Sequence, residues 1–176
     1  MESVRVQLSG NRIRANGRIV AAATDKHPAF SAYYDLQTDE SGATKRLGLT
    51  VTVAERERQL VIARDEENMW LVTEARGQSR AGYDGALDID MVLSPFFNTL
   101  PIRRVRLHQQ AAAVTLPMIY LGLPEMSVTA AAASYTSAGP GAGITVLTPG
   151  TDPGGSTLTV DTDGFVIDYP GLAARI

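Results

Sequence analysis

The chain has 176 residues, 44% of them hydrophobic and 20% charged, with a formal net charge of -3. That length suits one domain, residues 1–176; the composition excludes both a disordered and a membrane-embedded chain, and the mild acidity offers no whole-molecule attraction to nucleic acid or anionic lipid. With no cysteine and only His27 and His108 as histidines, disulfides, thiolate catalysis, iron–sulfur clusters and histidine-rich metal sites are excluded, and no cofactor is expected.

Period-two alternation dominates from the first residues onward. Val4, Val6 and Leu8 alternate with polar residues, which reads as a strand rather than a targeting segment. His27, before Pro28, reads as a loop residue. Asp39-Glu-Ser-Gly42 is a turn signal, and Leu47, Leu49, Val51 and Val53 then mark a half-buried strand. Glu55-Arg-Glu-Arg58 reads as a solvated strand end or turn. Leu60-Val-Ile-Ala-Arg-Asp65 and Met69-Trp-Leu-Val72 flank a turn at Asp65–Asn68, with Trp70, the one tryptophan, packing in the core.

Helix signals are weak. Asp84 to Phe97 has room for one or two turns, and Pro95 interrupts anything longer. Pro101 disfavours helical geometry at Leu100, so Asn98-Thr-Leu-Pro101 is predicted to be extended or turning. Ile102-Arg-Arg-Val-Arg-Leu-His108 is predicted to be a strand, with Arg103 on the face of Val105 and Leu107, and Arg104, Arg106 and a solvated His108 on the other. Val114, Leu116, Met118 and Tyr120 form the next strand. The alanine-rich Thr129–Ser134 is read as strand because it continues the alternation into Ser134-Tyr135-Thr136. A loop follows at Ala138–Gly143. Turns at Asp152–Gly155 and Asp161–Gly164 then bracket Leu158 and Val160, and Phe165, Ile167 and Tyr169 form the last strand, ended by Tyr169-Pro-Gly171. No apolar run approaches the roughly 18 residues of a spanning helix, and the chain reads as cytoplasmic. Such a pattern predicts an all-β, mainly antiparallel fold, a curved sheet or incomplete barrel with little helix.

The unit Leu60–Val72 parallels Leu158–Ile167, and a tyrosine precedes each at similar distance, Tyr34 and Tyr135. Two pseudo-repeats account for this; so does the common likeness of any two hairpins.

The segment Gly85–Arg104 carries two acidic and two basic residues at opposite ends, Asp88 and Asp90 against Arg103 and Arg104. Asp88 and Asp90 share a face if that segment is a strand. Arg103, on an apolar face, needs a partner, because an unpaired buried charge is very costly. Asp88 or Asp90 serves as that partner in a structural reading, which predicts an ion pair between the Asp88/Asp90 pair and the Arg103/Arg104 pair; a ligand phosphate or carboxylate does so in a functional one. Nucleophile-elbow, phosphate-loop and dinucleotide motifs are missing.

Two strings carry a family resemblance. Asp88-Ile-Asp90, followed by Pro95-Phe-Phe-Asn-Thr-Leu-Pro-Ile-Arg-Arg104, and then Val160-Asp-Thr-Asp-Gly-Phe-Val-Ile-Asp-Tyr-Pro-Gly-Leu172, match in order and spacing the signature of the Putative glycolipid-binding family of bacterial proteins. The chain resembles that family over most of its length, with Phe97 in place of the usual threonine and without the tryptophans common in the first half. The resemblance implies a curved antiparallel sheet similar to the bacterial lipoprotein carriers, an apolar or amphiphilic small molecule, a glycolipid in class, as partner, and no catalytic residue.

The expected function is therefore the binding of a lipid or other apolar ligand. Asn98, Thr99, Arg103, Arg104 and Tyr169 are the ligand-binding candidates, with Asp88 and Asp90 as structural ion-pair candidates. An enzyme using Asp88 or Asp90 with Arg103, and a structural or oligomerising subunit, are the two rivals. An open cavity favours binding, a raised carboxylate pKa within it favours the enzyme, and a filled sheet interior favours the subunit.

Overall fold

The computed structural model describes residues 1–148 and 154–176; the turn read at Asp152–Gly155 begins outside them. The described residues form two seven-stranded sheets, one of them curled into a half-barrel. The first holds β1 (Glu2–Ser9), β2 (Arg12–Ala21), β3 (Phe30–Thr38), β4 (Thr44–Val53), β5 (Arg56–Arg64), β6 (Trp70–Glu74) and β7 (Gly77–Ala81) as an antiparallel meander in chain order. The second holds β8 (Asp88–Met91), β9 (Ala112–Gly122), β10 (Ser127–Ser137), β11 (Ile144–Leu147), β12 (Ser156–Val160), β13 (Val166–Tyr169) and β14 (Ala173–Ala174). Within it only β8 and β9 run parallel.

The alternation read at Leu47, Leu49 and Val51 ends on the face its period requires. Leu8, by contrast, is exposed, and in the last strand Val166 and Tyr169, rather than Phe165, Ile167 and Tyr169, pack together on the second core. Ile13, Ala15 and Ile19 of β2, Phe30, Ala32, Tyr34 and Leu36 of β3, and Leu47, Leu49 and Val51 of β4 point into one core. Each of the larger aliphatic and phenylalanine side chains among them contributes roughly 1.5–3 kcal/mol when fully buried. On β8 the alternation splits differently, with Ile89 and Met91 in that core and the carboxylates of Asp88 and Asp90 on the opposite face. Thr129–Ser134 lies within β10, as the alternation predicts.

Three tight connections share one construction. Asp39, Asp65 and Asp161 each accept, at Oδ1, the backbone N–H groups two and four residues on, at 2.9–3.1 Å. The fourth residue of each loop has positive φ, at Gly42, Asn68 and Gly164. An arginine from the next strand or just beyond it caps each Oδ2: Arg64 on Asp39, Arg80 on Asp65 and Arg175 on Asp161. The paired units of the sequence occupy the fifth and sixth strands of their sheets, β5–β6 and β12–β13, and Tyr34 and Tyr135 each sit on a third strand, β3 and β10. Pseudo-repetition is thus visible in strand order, and the parallel β8–β9 pair is where the halves differ.

Between the sheets lies α1 (Phe96–Arg104). This corrects the extended segment and strand expected over Asn98–His108. A segment crossing between two sheets has no strand edge to pair with, so its N–H and C=O groups are satisfied by a helix. Pro101 removes one donor, an expense offset by the burial of every residue from Phe96 to Ile102. Phe96, Phe97 and Leu100 pack into the core with the first sheet, while Ile102 joins Met118, Ala133, Tyr135, Ile144, Val146 and Leu158 of the second. No helix among the described residues is long and apolar enough to cross a membrane.

Candidate functional site

The family-signature residues of α1 tie the two sheets together. Asn98 is buried, and its Oδ1 accepts the Tyr135 hydroxyl at 3.1 Å. Thr99, fully buried, accepts the Val166 backbone N–H at 3.3 Å. Arg104 donates from Nε at 3.0 Å and from a terminal nitrogen at 2.6 Å to Asp88 Oδ2. That is the expected ion pair, made by Arg104 rather than Arg103. Full burial pushes the Asp88 carboxyl above the usual carboxylate range, and the two Arg104 donors pull it back. Arg103, expected on an inward strand face, stands instead in the last helical turn. It is half-buried, donates to the Asp163 carbonyl and lies 5.0 Å over the Phe165 ring.

Asp90 has no ion pair among the described residues, and burial raises its pKa to about 6. Tyr120, opposite it on β9, is itself raised by burial and by the Asp90 charge. Neither carboxylate lines the clefts described below. Because the folded protein binds the Asp90 proton more tightly than the unfolded chain, this group's contribution to stability is lost as pH rises from about 4 through 6. Asp90→Asn should therefore raise stability at pH 7 by about 1–3 kcal/mol and flatten that acid-side slope. Urea melts across the range read it; an unchanged slope counts against Asp90 as its source. Tyr169 is half-buried on β13, where its hydroxyl shares a hydrogen bond with Ser156.

Openings lie at two ends of this interior. At the β4–β5 hairpin, where the β9–β10 turn meets the first sheet, a groove of about 670 Å³ is walled by Pro28, Val51, Val53 and Pro124, with Glu55 and Arg56 at its rim. Arg58 donates to the Pro124 and Glu125 carbonyls at 3.0 and 2.7 Å. It separates this groove from a second, of about 560 Å³, where Leu60, Val61 and Met126 stand among the polar Glu57, Gln59, Glu74 and Arg76.

At the other end, a cleft of about 310 Å³ opens at the C-terminus of α1, lined by Arg103, Arg104, Arg106, His108, Asn11 and Gly42, with Thr162 and Asp163 opposite. Helix α1 ends in a Schellman arrangement. Leu107 N–H donates to Ile102 C=O at 2.9 Å, Arg106 N–H to Arg103 C=O at 3.1 Å, and the Ile102 and Leu107 side chains meet in the second core. Arg106 holds the left-handed position, φ +58°, that glycine normally takes; an L-residue there costs about 1 kcal/mol. Gly164 permits the close cover over this cleft, since a Cβ there would come within 2.9 Å of both Arg103 Cγ and His108 Nδ1. The strand reading of Ile102–His108 missed the cleft, although the run of arginines was the signal for it.

A family described as Putative glycolipid-binding matches residues 1–175. The chain belongs to that family. Another likeness supports the fold of this Putative glycolipid-binding member: the crystal structure of a DUF1089 family protein from Pseudomonas aeruginosa superposes with a TM-score of 0.79 at 24% identity, covering 99% of this chain and 92% of that one. No curated protein matches.

Proposed function

We propose that this family member binds an apolar or amphiphilic small molecule, a glycolipid in class, with its apolar part in the groove between the β4–β5 hairpin and the β9–β10 turn. The observation that carries the reading is the groove's composition: apolar walls from Val51, Val53, Pro28 and Pro124, and a charged rim. Binding sites for such ligands are mostly apolar with a few placed polar groups. The family description points the same way. The space between the sheets is filled by α1, which taken alone favours the structural-subunit reading; the open groove at the mouth is the cavity that favours binding, and the ligand lies there and not in place of the helix. We place this activity in the cytoplasm, which cell fractionation checks.

Nile red should brighten on binding the protein, and octyl glucoside below its micelle concentration should displace it. Val53→Arg, a half-buried position on the groove wall, should weaken dye binding about tenfold, or 1.4 kcal/mol. Dye binding that ignores both the competitor and the substitution defeats the proposal.

A further inference from the structure

We propose that the cleft at the C-terminal end of α1 is a second binding site, for an oxyanion of the phosphate class. Three guanidinium groups, Arg103, Arg104 and Arg106, line it beside His108. Asp88 neutralises Arg104, and Asp163 is the one acid on the wall, which leaves one guanidinium charge uncompensated in a chain whose net charge is -3. Neither Arg103 nor Arg106 makes a salt bridge among the described residues. Arg103 Nε and His108 Nδ1 are buried without a hydrogen-bond partner. Guanidinium forks match the geometry of phosphate oxygens and bind them through charge-assisted hydrogen bonds.

The backbone supplies the independent observation. Arg106 occupies the left-handed position closing the helix, φ +58°, where glycine is conformationally cheapest. Compensation of the helix dipole does not require it, because Arg103 and Arg104 already stand in the last turn. What an arginine adds at this position is its side chain in the cleft. A strained conformation kept beside an unsatisfied cationic cavity is the pattern of a binding residue.

Arg106→Gly separates this site from architecture, because the backbone should welcome the change. Calorimetric titration and thermal melts would use inorganic phosphate at fixed ionic strength, with chloride as the balance. The wild type should show saturable binding and a melting temperature that climbs with phosphate concentration. Arg106→Gly should melt at the same temperature or higher without phosphate, and bind phosphate at least about tenfold more weakly. Arg18→Ala, an exposed arginine on β2 outside the cleft, should behave as wild type. Dihexanoyl phosphatidic acid distinguishes the source of the anion: binding at least about tenfold tighter than inorganic phosphate assigns the site to a lipid headgroup, and equal or weaker binding assigns it to a free anion. No saturable binding of phosphate or of the lipid by the wild type overturns the proposal, as does undiminished affinity in Arg106→Gly or an equal loss in Arg18→Ala. Nile red binding by the same proteins reports on the groove separately, so either site can fail while the other stands.

Discussion

Arg104→Ala should cost about 3–5 kcal/mol, the range for breaking a buried ion pair by removing one partner. Asp88 is fully buried, its Oδ2 takes both Arg104 donors, and its Oδ1 has no hydrogen-bond partner. Without Arg104 a carboxylate would remain inside the protein with no hydrogen-bonded partner and only the more distant Arg64 charge near it. A domain of this size loses roughly 2–4 °C of melting temperature per kcal/mol, so the drop should be on the order of 10 °C. It should shrink as pH falls, since protonation removes the stranded charge: the deficit belongs to the ionised form and grows as pH rises. Arg103→Ala, which gives up one bond to a carbonyl and a contact with Phe165, should cost only about 1–2 kcal/mol. If the two alanine variants melt together, Asp88 is not the anchor of α1.

Gly17→Ala should be comparably damaging, for a reason unrelated to charge. The Tyr34 ring crosses directly over Gly17, its register partner on the neighbouring strand, and a Cβ at Gly17 would lie 2.0 Å from Tyr34 Cζ. That crossing carries the Tyr34 hydroxyl to Glu2 Oε1 at 2.8 Å, where Ser94 also donates. The ring meets Phe97 edge-on with centroids 5.2 Å apart. Displacing it strains the core, by about 1–3 kcal/mol, and strands a buried hydrogen-bonding group for about as much again. We expect a loss of about 3 kcal/mol or more, measured by urea denaturation. Tyr34→Leu combined with Gly17→Ala should lose less than the two single changes summed, because the overlap is shared. Strict additivity would show that the ring and the glycine do not meet.

The strands were legible in the residues because each buries one face, and burial of one face of a pleated strand imposes a period of two. Leu47 to Val53 and Val114 to Tyr120 needed no knowledge of their neighbours. The Asp39, Asp65 and Asp161 turns were equally local, since a carboxylate bonded to N–H groups two and four residues on is settled within five residues. The partnership of an Asp88/Asp90 carboxylate with an arginine at 103 or 104 was legible as a charge balance. Which arginine took it was not. Helix α1 is buried on both sides, so Phe96 to Ile102 show no amphipathic stripe, and Pro95 and Pro101 argue locally against the helix that the space between two sheets requires. Reading Ile102–His108 with a period of two put Arg103 inside and Arg104 outside; the helix reversed the assignment by turning each residue about 100° from the last. The cationic cleft exists only after that turn, because it joins the end of α1 to loops at Asn11, Gly42 and Asp163 that lie far apart in the chain. Local periodicity thus determined the strands and the turns, and only the packing of the two sheets decided the helix, the choice between the arginines and the cleft they line.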